Sequence, residues 1–480
     1  MNKNTLYKLI DSRFHHLEIL DKEIIYKHPK EFIDKNRIDL PIKIEYIKSI
    51  IEDSDPQYFR SIYQKTINYF SDGLFYEPGD SEKSTFQDFD DIFLKLYLNI
   101  KEAGFLLEKG VIPLSKDGVI LDGAHRVAIA YLLNIKIPTI KLNVKSPDFG
   151  INFFKRKGAT HREILDFIKI NTMHNKKLRT AIIWPYNCSN IDNIQSLYSN
   201  IIYTGSMNLN LNGIRNLCLL CYSEESWVGN YLNNWSGIKN KADSCYNKDR
   251  KTIFFIYEKA PNQDDISLKE KVRNLTDGSK NNIHTTDNIE ETKYLLNTLL
   301  RTESEFLLNN LNLKSLSKIY ESISLAKIDT KKILVTGSSV LSLLNIRDNN
   351  DIDILHEKSI HIESPSVLGS HNEYQHLYEK KINLLIQNPL FHYDFLGIKF
   401  IDIHNLLVFK SNRNEKKDIL DIKLINRAIK KEDGNLLFLK AQENINRKSR
   451  ILYFRYRQYL INCLKKLRIF NLIKKLIKNK

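Results

Sequence analysis

Asp351 and Asp353 flank Ile352 a short way after a Gly-Ser pair, Gly337 and Ser338, in the segment KKILVTGSSVLSLLNIRDNNDIDIL. The segment reads as a strand, a tight turn, a short helix, a polar loop and a second strand. Alternate residues of a strand share a face, so the two aspartates project together. Two carboxylates on one face at a sheet edge, opposite a turn whose backbone amides can approach phosphates, are what a magnesium-triphosphate complex requires. The expectation is that Asp351 and Asp353 bind Mg2+ or Mn2+ and that a nucleoside triphosphate is the substrate. The plain alternative, an acidic turn before an ordinary strand, leaves the TGSS turn unexplained.

A second group is Asp122, Gly123, His125 and Arg126, in VIPLSKDGVILDGAHRVAIAYLLNIKIPTIKL. The pattern is strand, turn, strand, an Asp-Gly corner, a helix opening near His125, and a returning strand. Unpaired amides at a helix start and the fork of an arginine suit a phosphate. Upstream, KNRIDLPIKIEYIKSI places Arg37 and Asp39 ahead of an amphipathic helix. They either complete this site or form a surface salt bridge. A third candidate is His284, followed by Thr-Thr-Asp and an acidic helix start, with Asp287 expected as N-cap and Glu290 completing a capping box.

Length and composition frame these groups. The chain has 480 residues, which suggests about three domains, with 42% hydrophobic and 27% charged residues as in folded globular protein. Punctuation and periodicity divide it at 1–175, 176–328, 329–435 and 436–480. The second segment, with strands TAIIWPY, IIYTGSMNL and KTIFFIYE between helices, predicts a small α/β sandwich; the whole is multidomain α/β of the α+β kind. The net charge of +16 is concentrated: residues 441–480 carry twelve Lys or Arg against the single acid Glu443. Leu, Ile, Phe and Tyr are interleaved there without Pro or Gly, so basic amphipathic helices are expected. An anionic membrane surface is the preferred partner for them, with nucleic acid or a partner helix as rivals.

The five cysteines are scattered, no apolar h-region opens the chain, and no apolar run approaches the ~20 residues of a membrane span. A cytoplasmic protein, peripheral at the inner face of a membrane, is expected. Cys218 and Cys221 form a CxxC inside the apolar run NLCLLCY and are read as core.

The Gly337-Ser338 and Asp351-x-Asp353 pattern resembles the polymerase-beta-type nucleotidyltransferases. That resemblance implies that Gly337 and Ser338 cradle the β- and γ-phosphates and that the aspartates bind one or two metals at the α-phosphate. It also implies a third carboxylate on a later strand, with Asp402 the candidate by alternation and Asp394 a second. The downstream stretch with Arg413, Lys417, Asp418 and Asp421 matches such domains loosely, Lys417 as a phosphate contact. Gly123, His125 and Arg126, with Asp122 before them, resemble the phosphate-binding box of the ParB/sulfiredoxin superfamily. Nucleotide or phosphate binding is what its members share; with no cysteine in the first 187 residues, sulfiredoxin chemistry is not expected. Over some thirty residues Arg273, His284 and Asp287 resemble the Arg and His-x-x-Asp of nucleoside diphosphate kinases, which implies a phosphate-accepting His284, although the Lys of the first strand is missing from TAIIWP.

Combined, these resemblances are similar to proteins of bacterial surface-polysaccharide synthesis. They imply transfer of a nucleotidyl or phosphoryl group to a sugar or polyol phosphate. A nucleic-acid-binding protein of the partition or antiphage class and a catalytically inactive nucleotide-binding regulator are the alternatives.

Overall fold

The computed structural model describes residues 3–77, 83–187, 191–349, 351–360 and 368–429, together with 452, 453, 456, 457, 459 and 460. The fold is mixed α/β, built on three small sheets. The first takes β1 (Ile25–Lys27), β2 (Ile112–Leu114) and β3 (Ile137–Lys141) in the order β1-β3-β2, with β3 antiparallel to β1 and parallel to β2. The strand expected after the Lys116–Gly118 turn is reduced to a single bridge, Leu114 to Ile120. Helix Ala124–Leu133 joins β2 to β3. Helix Asp39–Ile51, expected to be amphipathic, is instead buried along almost its whole length, Asp39, Lys43 and Glu45 included. It packs against helices Pro56–Phe70, Ala124–Leu133 and His161–His174, so it has no solvent face to keep polar.

The middle sheet holds β4 (Leu178–Ile183), β5 (Ile201–Met207), β6 (Thr252–Glu258) and β7 (Ile283–Thr285) in the order β5-β6-β4-β7, every pair antiparallel. The central strands, LRTAII and TIFFIYE, are rich in β-branched and aromatic residues and apolar on both faces. Ala181, Ile183, Phe255 and Tyr257 pack on Ile194, Tyr198, Leu268 and Val272 on one side. Ile182, Phe254 and Ile256 turn to the other and join the main core.

The third sheet holds β8 (Ile333–Thr336), β9 (Ile352–His356), β10 (Leu368–Ser370), β11 (His392–Phe395) and β12 (Ile398–Ile401) in the order β10-β9-β8-β12-β11. Pairs β10/β9 and β12/β8 are parallel, and β8/β9 and β11/β12 antiparallel. Leu396 and Gly397 close the last hairpin with φ of +53° and +79°, the left-handed pair of a type I′ turn. One hydrophobic core runs through residues of all three regions. No helix among the described residues is long and apolar enough to cross a membrane. Most of the basic tail lies outside the described residues; Leu452, Tyr453, Tyr456, Tyr459 and Leu460 are helical and exposed.

Candidate functional site

Antiparallel pairing sets Asp353 opposite Thr336, so Gly337, one residue further, lies beside the Asp353 carboxylate. Gly337 has φ +65° and ψ −141°, a conformation open to glycine, and a Cβ there would collide with Asp353 Oδ2. On the other side β10 places Gly369 opposite Asp353, where a Cβ would stand 3.0 Å from Oδ1. A glycine thus flanks the carboxylate on each side. Asp351 is exposed and tied to the turn: Ser338 Oγ donates to Asp351 Oδ1 at 3.3 Å, while Ser339 Oγ (3.1 Å) and Asn349 Nδ2 (2.6 Å) donate to its backbone carbonyl. Burial, and then the negative charge of Asp351, push the Asp353 carboxyl up to about 6.

His371, just after β10, stands with Nε2 3.3 Å from Asp353 Oδ2. Burial, and then the charge of Arg413, bring its imidazole down to about 4, so it is neutral at pH 7. Its Nδ1 is 3.0 Å from Tyr378 Oη, which is 2.9 Å from Thr336 Oγ1. A neutral ring that donates Nε2–H to Asp353 accepts at Nδ1 from Tyr378, whose oxygen accepts from Thr336. Every donor in that chain then points toward Asp353.

Behind the pair lies a charge network. Lys410, buried, contacts Asp421 at 2.7 Å and Asp418 at 3.3 Å; Arg347 forks onto Asp421 (2.6 and 2.8 Å) and Arg413 onto Asp418 (2.8 and 2.7 Å). Glu415 adds a third carboxylate, 3.6 Å from Arg413, and the positive charge of Arg413 and Lys410 is felt at Asp353. Lys417 adds to that field from an exposed position, 3.2 Å from Glu415.

Asp402 does not join the pair. With Phe400 opposite Val335, Ile401 continues the face of Thr336 and Asp353, and Asp402 falls on the other face. Its carboxylate caps helix Ile403–Arg413, accepting from Asn405 N at 2.7 Å and Asn405 Nδ2 at 2.8 Å. Asp394 is on the edge strand β11 and accepts from Gly397 N at 2.9 Å. Among the described residues no group of three or more His, Cys, Asp or Glu converges as a metal site. Two neighbouring carboxylates, one of them pushed up by burial and by the other's charge, suit a divalent cation whose remaining ligands are phosphate oxygens.

The N-terminal candidates do converge. Asp122, Gly123, His125 and Arg126 line a cavity of about 590 Å³ together with Arg37, Asp39 and Lys43. Gly123 caps helix Ala124–Leu133 at φ +83° with no side-chain bond to the helix amides, and a Cβ there would lie 2.6 Å from Ile112 Cδ1 and 2.8 Å from Arg126 Nη2. Of the two readings of Arg37 and Asp39, the surface salt bridge is not what the structure shows: both are buried and line this cavity. Arg37 is bidentate to Asp39 (2.9 and 2.8 Å), its third nitrogen donates to Ile120 O at 2.8 Å, and Lys43 Nζ meets the same carboxylate at 2.6 Å, all three buried. Burial alone would raise Asp39; Arg37 and Lys43 more than offset it and hold the carboxyl below its usual range. His125 spends Nε2 on Tyr63 Oη at 2.9 Å, and burial followed by the charge of Lys43 keep it neutral.

His284 lies on β7 with Nε2 3.0 Å from Glu291 and its ring edge-on to Tyr222. Asn288, not Asp287, caps the helix, accepting from Glu291 N at 2.9 Å; exposed Asp287 pairs with Lys269, and Glu291 rather than Glu290 reaches back to Asp287 N. The cap is therefore displaced by one residue, and Glu291 holds the amide before the cap rather than closing a capping box. Arg273 is in helix Asp265–Asn274, a different element from the strand that carries His284. Cys218 is buried and Cys221 half-buried, facing Cys245 inside the core.

Sequence reading missed His371 and Lys43. Lys43 was legible as the residue one helical turn after Asp39; nothing local marks His371, which reaches Asp353 only through the parallel pairing of β10. No family model, curated protein or solved structure matches the chain.

Proposed function

We propose that the C-terminal domain transfers a nucleotidyl or phosphoryl group from a nucleoside triphosphate, with Asp351 and Asp353 as the ligands of Mg2+ or Mn2+. The observation that carries this reading is the Asp353 carboxylate, set between Gly337 and Gly369 beside a turn whose serine holds Asp351. When bound, the cation supplies charge neutralisation and polarisation at the phosphate. The protein's own share is positional. Gly337 and Ser338 leave the turn open for phosphate oxygens, His371 orients Asp353, and Arg413 and Lys417 supply positive charge toward the polyphosphate. A sugar or polyol phosphate is the expected acceptor, with the chain drawn to an anionic membrane by residues 441–480.

The test is pyrophosphate release from ATP, CTP, GTP and UTP with magnesium and a panel of sugar and polyol phosphates, for wild type and for Asp351→Asn/Asp353→Asn. Turnover with one nucleotide that disappears in the double variant supports the reading. Triphosphate binding indifferent to both substitutions sinks it. The position of Asp402 on the opposite face favours a second reading, a domain that binds nucleotide without turnover. Cation-dependent binding with no product in any combination identifies that case.

A further inference from the structure

The N-terminal cavity carries more positive charge than it can balance. Arg13, Arg37, Lys43 and Arg126 line it against Asp39, Asp122 and Glu77; Glu77 is already paired with Lys83, and Arg13 is paired with Asp11 and, at 3.6 Å, with Asp122. Arg37 and Lys43 are 4% and 3% exposed and share the single carboxylate of Asp39. A buried cation in excess is costly unless an anion completes the set.

Directly beside it lies a second cavity of about 720 Å³, which shares Leu96, Asp122 and Arg126 with the first. Its inner wall is apolar: Ile10, Ile100 and Val111 are buried, Leu9, Phe105 and Pro113 continue it, and Leu106 is exposed at its mouth. Its polar residues Lys8, Asp11, Asn99, Glu102, Glu108 and Lys109 are exposed, at the rim. Both volumes are in the ~300–1,000 Å³ range of small-molecule sites. Arg126 stands between the chambers on weak tethers: Nη1 reaches the carbonyls of Lys109 and Gly110 at 3.3 and 3.4 Å, and Nη2 is 3.9 Å from Asp122. Leu96, Asp122 and Arg126 form the boundary between the two, and Gly123 adds no side chain to it.

We infer that this domain binds an alkyl phosphate, its anionic head against Arg37 and Lys43 and its aliphatic body in the second chamber beyond Arg126. The inference is independent of the nucleotidyl-transfer reading.

Calorimetric titration of the full chain with inorganic, ethyl, butyl and octyl phosphate tests it. Each methylene that enters the chamber tightens binding up to about fourfold, the equivalent of ~0.8 kcal/mol. Ala103→Trp and Leu106→Asp, both at exposed positions lining the second chamber, abolish the chain-length dependence while leaving inorganic phosphate binding unchanged. Lys43→Met weakens every member of the series. Affinity independent of chain length, a dependence that survives both chamber variants, no phosphate binding, a nucleoside monophosphate that outcompetes octyl phosphate, or binding only to phosphatidic-acid vesicles and never to monomeric octyl phosphate would each overturn it.

Discussion

Alanine at position 337 would place a methyl group where the Asp353 carboxylate lies, and would hold a non-glycine residue at φ +65°, ψ −141°. Such a conformation costs about 1–3 kcal/mol. Gly337→Ala is therefore expected to lower unfolding free energy by that amount in urea titrations and to weaken Mn2+ binding as Asp353 is displaced. His371→Ala acts differently. It removes the donor that orients Asp353, so Mn2+ affinity should drop by about 10–100-fold with little change in metal-free triphosphate binding. His371→Gln, which keeps a donor, should recover part of that loss; equal Mn2+ affinity in wild type and His371→Ala would remove the positional role. At this scale the sequence was readable where chemistry is local. Gly337, Ser338, Asp351 and Asp353 meet as their spacing implies, whereas His371 and Gly369 belong to the site only because β10 adds to β9 in parallel.

Elements decide which face a side chain occupies, and Asp402 was lost at this level. Its distance along the chain from Asp353 says nothing about whether β12 pairs with β8 or with β9, and the observed pairing turns it away. Asp402→Ala should cost about 1 kcal/mol through loss of a helix cap and leave Mn2+ binding intact; loss of Mn2+ binding would restore it to the site. At the end of β6, Glu258 is buried and accepts from Asn175 Nδ2 at 2.6 Å, and burial pushes its carboxyl up to about 7. The folded protein therefore holds this proton more tightly than the unfolded chain does. Full stability is present below about pH 4.5 and is lost as pH rises to about 7. Glu258→Gln should gain on the order of 2 kcal/mol at pH 8 and nothing at pH 4. A gain equal at both pH values would contradict this account. The middle sheet's strands were legible from their apolar runs, but its wholly antiparallel order was not, because connections of this length constrain neither direction nor neighbour.

Across the whole molecule, the three sheets are joined by one hydrophobic core and by charged straps between the first and third regions. Lys380 Nζ meets Asp55 Oδ2 and lies 5.6 and 4.7 Å from the ring centres of Tyr58 and Phe391, and Lys381 Nζ meets Asp53 Oδ2. Lys380→Ala should lower stability by about 1–2 kcal/mol, and a double-mutant cycle with Asp55→Ala checks how much of that is the pair. No such long-range pairing can be read from a chain in which the partners are more than 300 residues apart. The +11 of residues 441–480, conversely, was evident from composition alone. The most direct test of the central claim is a Mn2+ titration of the full chain in the presence of a nucleoside triphosphate, followed by electron paramagnetic resonance. Tight binding in wild type that is lost in Asp351→Asn/Asp353→Asn is the predicted result; Mn2+ binding that the double variant leaves unchanged contradicts the assignment of the C-terminal site.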